Sequence, residues 1–259
     1  MKNLLYFLVF VSCLCFGQDH VESKFISKEK LSVQHIIDID DFGVFYYENN
    51  NIFYKKEKES IISYNNLQLG NIYSVNTFSP LKINVFYKDF NSVMILDNRL
   101  AEIFKIDFNK IQPFRNITHI STGNDNTIWL LNQDTRQLEL YDYKTNKTRA
   151  TTLPIESEVL DLKSNFNQCW LLTKNYLYKY NYFGSLIFKI KNNGYTNLME
   201  NNDDVILQKV NNLIFLKKET DKILPINIPK LLIKQFLVTN ETLYIYDEEF
   251  LHKYQLITN

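Results

Sequence analysis

At 259 residues, with 45% apolar and 15% aromatic content, the chain is long enough for a buried core and too hydrophobic to be disordered. Twenty-nine basic residues balance 29 acidic ones without a block of like charge. That leaves no electrostatic footprint for nucleic acid or an anionic membrane surface.

The first residues read as an address. Lys2 supplies a positive start, Leu4 to Phe16 is an apolar run of about 13 residues, and Cys15-Phe16-Gly17 carries small residues where a signal peptidase reads. The expectation is a signal peptide over residues 1–17, Gln18 as the first mature residue, and a single domain over 18–259. A run of that length falls short of the ~20 residues a membrane span needs. No later stretch is continuously apolar, so no transmembrane segment is expected in the mature chain. The alternative is a lipoprotein, because Phe10-Val11-Ser12-Cys13 loosely matches a lipid-attachment box. Against it, Leu14-Cys15-Phe16 continues the apolar run past Cys13, where a lipidated cysteine is followed by polar residues. Either reading sends the protein out of the cytoplasm, to the periplasm, the outer membrane or the medium. Cleavage leaves Cys169 alone, without a disulfide partner.

Beyond the leader, short β-branched and aromatic runs alternate with Asn, Asp, Lys and Ser clusters, and no 3.6-residue apolar period is sustained. Ile228 to Phe236 is the best helix candidate, and Pro229 interrupts it. Second-strand candidates are Gly43–Tyr47, Ile83–Tyr87, Thr127–Leu131, Gln168–Leu172, Asp204–Leu207 and Thr242–Tyr246. They recur about every 40 residues, the period of a propeller blade. Third strands follow in Asn51–Lys55, Ser92–Leu96, Arg136–Tyr141, Tyr176–Tyr180, Leu213–Leu216 and Phe250–Tyr254. Fourth strands follow in Ser60–Tyr64, Glu102–Asp107, Thr148–Leu153, Ser185–Lys189 and Lys222–Ile226. The last unit lacks a fourth strand, while Ser23–Ser27 is strand-like and unassigned. The pattern predicts an all-β fold: a six-bladed β-propeller of four-stranded antiparallel blades, closed by an N-terminal strand near Phe25, with seven blades the alternative ring. Only 6 glycines serve the turns, and Asn pairs such as Asn49-Asn50, Asn65-Asn66, Asn192-Asn193, Asn201-Asn202 and Asn211-Asn212 stand where positive φ is wanted.

Two stretches carry a resemblance. Ile117-Thr-His-Ile-Ser-Thr-Gly-Asn-Asp-Asn-Thr-Ile-Trp-Leu-Leu, followed by Leu138-Glu-Leu-Tyr-Asp, is similar to blades of sensor-type and outer-membrane-assembly-type β-propellers. Asn84-Val-Phe-Tyr-Lys-Asp-Phe-Asn-Ser-Val-Met-Ile-Leu-Asp-Asn-Arg-Leu resembles uncharacterised exported propellers of flavobacteria-like bacteria. The resemblance implies a fold and an exported location, and no reaction.

No catalytic, cofactor or metal residue is assigned, and no cofactor is expected. The chain has no Gly-x-Ser-x-Gly elbow, and its four histidines are scattered. Cys169 beside Trp170 reads as an inert buried thiol, and His119 as a structural histidine near a central channel. Asp38-Ile39-Asp40-Asp41 is the candidate for calcium, since residues two apart on a strand face the same way, although acidic turn residues are ordinary there. Trp129 and Trp170 fall one period apart and read as packing between blades. Tyr176, Tyr178, Tyr180 and Tyr182 share one strand face, either packed on a neighbouring blade or exposed for glycan or peptide. The leading function is a non-enzymatic interaction module of the cell envelope that binds a protein, peptide or glycan. The alternative is a lactonase-like, metal-dependent hydrolase with Asp38, Asp40 or His119 in its site. A binding module implies an uncharged channel and an exposed aromatic patch; an enzyme implies carboxylates and amides converging on the channel from several blades.

Overall fold

A computed structural model describes residues 20–218 and 222–258, so the leader and the Cys13 box lie outside the described residues. Strand β1 (Val21–Lys30) comes first in the chain. The first blade is β2 (His35–Ile39), β3 (Phe45–Asn49), β4 (Ile52–Glu57) and β5 (Ser60–Tyr64). The second is β6 (Ser74–Asn76), β7 (Ile83–Tyr87), β8 (Ser92–Leu96) and β9 (Glu102–Asp107). The third is β10 (Ile117–Thr122), β11 (Thr127–Asn132), β12 (Gln137–Asp142) and β13 (Lys147–Thr151). The fourth is β14 (Val159–Ser164), β15 (Gln168–Thr173), β16 (Tyr176–Asn181) and β17 (Leu186–Lys191). Each is a four-stranded antiparallel sheet in chain order. One 3-10 turn, Leu67–Leu69, is the helical piece among the described residues, and Ile228 to Phe236 forms none.

The expectation of six four-stranded blades is overturned: there are four. The remaining strands are β18 (Asn197–Asn201), β19 (Asp204–Lys209), β20 (Asn212–Leu216), β21 (Ile223–Asn227), β22 (Gln235–Thr239), β23 (Thr242–Tyr246) and β24 (Phe250–Ile257). With β1 they form one continuous eight-stranded sheet, ordered β18-β19-β20-β21-β1-β24-β23-β22. The joint is β1. It pairs antiparallel with β24 from Glu22↔Ile257 to Lys30↔Phe250, and parallel with β21 through Val21↔Ile226 and Glu22↔Asn227. An unpaired strand edge leaves a row of unused N–H and C=O groups, so a strand that reaches two edges at once merges two sheets.

Burial explains why the second and third strands read as apolar runs. Every residue of β7, β8 and β11 is buried, because both faces of a blade pack against neighbours. Trp129 packs with Leu162, Cys169 and Leu171 of the fourth blade, and Trp170 with Val205 and Leu207 of the next sheet. The two halves of the eight-stranded sheet pack on each other through Ile206, Leu213 and Phe215 against Val238, Leu243 and Ile245. Asparagine does supply positive φ, at Asn50, Asn51, Asn91, Asn146, Asn202 and Asn240. Asn65, Asn66, Asn192, Asn193, Asn211 and Asn212 are not among the positive-φ residues.

Candidate functional site

The first strand of each blade faces a central channel, and the bent eight-stranded sheet contributes both of its end strands, with β18 beside β14 and β22 beside β2. The channel widens into a hollow at each end, about 300 Å³ where these strands turn into their blades and about 210 Å³ at the opposite end. Ile37, Val75, Lys163 and Met199 line both hollows and mark the waist.

A closed circle of polar bonds surrounds the larger hollow. Thr77 Oγ1 donates to Asp38 Oδ2 (2.7 Å), Thr122 Oγ1 to Asn76 Oδ1 (2.6 Å), and Ser164 Oγ meets Ser121 Oγ at 2.7 Å. Asn165 Nδ2 donates to Glu200 Oε1 (2.9 Å), the Asn201 amide to the Asn240 carbonyl, and Asn240 Nδ2 to Asp41 Oδ1 (3.0 Å). Every junction between neighbouring channel strands is thus bridged by short side chains. At about 0.5–1.5 kcal/mol net for a hydrogen bond, the belt holds the strands in register as much as it stabilises them.

Outside the belt stands an aromatic rim. Phe42 is 90% exposed, Phe78 40% and Phe166 45%. Phe78 and Phe166, from the second and fourth blades, meet edge to face at 4.9 Å. The third blade between them carries Gly123 in the corresponding loop, where a Cβ would lie 2.3 Å from Thr127 Oγ1. A third hollow, of about 390 Å³, is lined by Lys82, Asp125, Tyr143 and Phe166.

The residues singled out from sequence are placed as follows. Asp38 and His119 occupy equivalent positions, opposite Tyr46 and Leu131, each just after a bulge in its strand. Asp161, opposite Leu172, is the third member and was not foreseen. Asp38 and Asp161 bond alike: Oδ1 accepts the next residue's N–H (2.8 Å in both), and Oδ2 accepts from the adjoining sheet, from Thr77 Oγ1 and from the Leu198 N–H (3.0 Å). Burial pushes the Asp38 carboxyl up, with Thr77 and Ile39 opposing through hydrogen bonds, and it lowers the His119 imidazole. His119 Nδ1 sits 3.1 Å from Thr118 Oγ1. Asp40 is a turn residue: its Oδ1 accepts the Phe42 and Val44 N–H groups, both at 2.9 Å. Among the described residues no three of His, Cys, Asp or Glu stand together to hold a metal ion.

Cys169 is buried and its thiol is pushed well up by burial. Tyr178 and Tyr180 stack at 6.0 Å inside the core, so the tyrosine strip is packing, and Tyr182 beyond the strand is 40% exposed. The channel is not uncharged: Asp38, Asp161, Lys163 and Glu200 line it. Lys163 Nζ lies 3.8 Å from Asp161 Oδ1. Burial also raises the Glu200 carboxyl, against hydrogen bonds from the Asp203 N–H and Asn165.

Two signals could have found what was missed. Asp38, His119 and Asp161 are spaced at multiples of the ~40-residue period once first strands are aligned with each other. The rim follows a polar-polar-Phe pattern just past three channel strands: Asp40-Asp41-Phe42, Asn76-Thr77-Phe78 and Ser164-Asn165-Phe166.

No protein-family model matches the chain, and no curated protein matches it in sequence. Solved structures do share the fold. A catalytically inactive virginiamycin B lyase from Staphylococcus aureus with quinupristin superposes with a TM-score of 0.59 at 12% identity, over 90% of this chain and 100% of that one. A chain of the mitotic checkpoint complex gives 0.60 at 12%, over 99% of both. The Pan2 WD40 domain of Neurospora crassa gives 0.56 at 9%, over 89% and 75%. At such identities the likeness is one of fold, and the chain has the architecture of β-propellers that serve quite different ends.

Proposed function

We propose that the protein is an exported, non-enzymatic interaction module of the cell envelope, and that it engages a protein or peptide at the larger channel mouth. The observation that carries this reading is the aromatic rim: exposed Phe42 and Phe78 line the hollow from separate blades, and exposed Phe166 from a third packs edge to face on Phe78. Scattered exposed apolar residues are ordinary on a protein surface, whereas aromatics gathered at a concave mouth match the composition of interface cores. The leader-like pattern of residues 1–17, a lysine followed by an apolar run and small residues, supports the envelope location. Carboxylates and amides do converge on the channel from several sheets, through Asp38, Asn76, Glu200 and Asn201, which supports the metal-dependent hydrolase as the second reading. Their engagement with one another in the polar belt weighs against it.

The test combines capture with elemental analysis. The purified chain and a Phe42→Ser, Phe78→Ser, Phe166→Ser variant with the same thermal midpoint are each exposed to envelope extract, and the metal content of the purified chain is measured. A specific protein retained by the parent and lost by the variant is the expected result. A stoichiometric metal together with capture indifferent to the rim overturns the reading in favour of the hydrolase.

A further inference from the structure

Hydrogen-bond accounting at the larger mouth specifies the chemistry of its guest, given the interaction reading above. The amides and hydroxyls there already donate within the belt. The Asn165 amide serves Glu200 Oε1 and Asp203 Oδ1, the Asn201 amide serves the Asn240 carbonyl, and the Asn240 amide serves Asp41. The Thr77 and Thr239 hydroxyls serve Asp38 and the Ile39 carbonyl. Acceptors are in surplus. An ionised carboxylate has about four acceptor sites, yet Asp38 accepts one bond on each oxygen, Asp41 accepts one from Asn240, and Glu200 accepts both of its bonds on Oε1.

The charge count agrees. Asp38, Asp40, Asp41 and Glu200 line the hollow against one ammonium, Lys163, which sits at the waist. An anionic guest would meet four carboxylates, with Lys163 at the waist as the one cationic donor. A guest bearing several N–H groups and a positive charge would find open lone pairs below and aromatic faces at the rim. The faces of Phe rings attract a cation, and the methylene stem of Lys or Arg packs on apolar surface while its head stays polar. Ile37, Phe42, Val75 and Val238 supply that surface beside the carboxylates. A hollow of about 300 Å³ lies at the small end of ligand sites, which suits one long side chain rather than a folded element.

We propose that the larger channel mouth recognises a Lys or Arg side chain presented by an otherwise apolar segment of a partner protein. The cationic head enters toward Asp38 and Glu200, and flanking apolar residues of the partner rest on Phe42 and on the Phe78–Phe166 pair. Specificity then comes from the sign of the guest's charge, and much of the affinity from the rim.

The test uses synthetic, end-capped, fluorescently labelled peptides of sequence Leu-Phe-X-Phe-Leu, with X as Lys, Arg, norleucine or Glu, titrated with the full chain by anisotropy. The expected order is Lys and Arg at least tenfold tighter than norleucine, with Glu weakest. In the Asp41→Asn, Glu200→Gln variant the Lys preference over norleucine should collapse to about twofold. In Phe42→Ser the Lys and norleucine peptides should weaken by a similar factor. Thermal midpoints of both variants, measured alongside, separate loss of binding from loss of fold. Equal affinity for Lys and norleucine, still dependent on Phe42, overturns the charge-selective inference while leaving the interaction module standing. Tighter binding of the Glu peptide overturns it as well. No binding of any peptide, with partner capture still dependent on the rim, removes the linear apolar-cationic segment as the occupant.

Discussion

The third blade and the eight-stranded sheet reach the same end by opposite routes. The third blade is local: its strands follow one another by hairpins, Thr127↔Asp142 and Asp142↔Lys147 among their pairs. It is further cross-linked from within. Arg115 Nε donates to Glu139 Oε2 (2.9 Å), its Nη2 to Thr148 Oγ1 (3.0 Å), and the guanidinium lies over the Tyr141 ring. Both charged side chains are buried. The eight-stranded sheet depends on β1, whose partner residues lie some 200 positions away along the chain, as in Glu22↔Asn227. Closing so long a loop costs entropy that grows only slowly with length, so the pairing is affordable, but it forms only when the whole ring is assembled. Completeness of a sheet is thus a local property in one region and a global one in the other.

Removing residues 20–30 should break the contrast most severely. The edges of β24 and β21 would open and the buried Val21 would leave its cluster. The expected loss exceeds ~5 kcal/mol, comparable to the whole stability of a marginal domain, and should appear as a lost cooperative transition in urea. Adding a peptide of that sequence back should restore part of it. Next comes Arg115→Ala, which strands the Glu139 carboxylate in the core. About 3–5 kcal/mol is expected, confined to a shift of midpoint, with Arg115→Met, Glu139→Leu costing much less.

The ion pair also sets an acid limb. Burial by itself would raise the Glu139 carboxyl, but the hydrogen bonds from Arg115, Thr148 and Asn132 and the Arg115 charge outweigh it, so its pKa is lowered. A lowered folded value means the stabilisation is present above the unfolded glutamate pKa and is lost as pH falls through the folded one. Glu139→Gln should therefore be less stable at neutral pH and flatter in its acid unfolding curve. Glu200 has the opposite sign: its raised value favours the fold at low pH, and that contribution is lost as pH rises through the raised value. Glu200→Gln should accordingly flatten the profile on the less acidic side. Smallest is Ser164→Ala, which removes one link of the polar belt at about 1 kcal/mol in urea titrations.

The strand pattern was legible because hairpins are written locally. Ile83–Tyr87, Ser92–Leu96, Ser60–Tyr64 and Thr242–Tyr246 coincide with β7, β8, β5 and β23. The strand-like piece at Ser23–Ser27 lies within β1, but nothing in its residues says that Val21 and Glu22 would also pair with β21 and turn the end of the chain into one sheet. The site was half legible. Asp38 stood out in an acidic segment ahead of a predicted second strand and His119 as a histidine near the channel, whereas Glu200, Lys163 and Phe166 look like ordinary strand and turn residues until the ring brings their loops together.

From residues alone came the all-β class, the ~40-residue period and the burial of Trp129, Trp170 and Cys169. These depend on alternation and propensity over a few residues, which no distant contact needed to settle. The merging of sheets through β1, the belt that circles one channel mouth and the meeting of Phe78 with Phe166 were decided by tertiary structure. Each joins residues from separate sheets, and a contact of that kind depends on where the ring closes rather than on the local sequence of either partner.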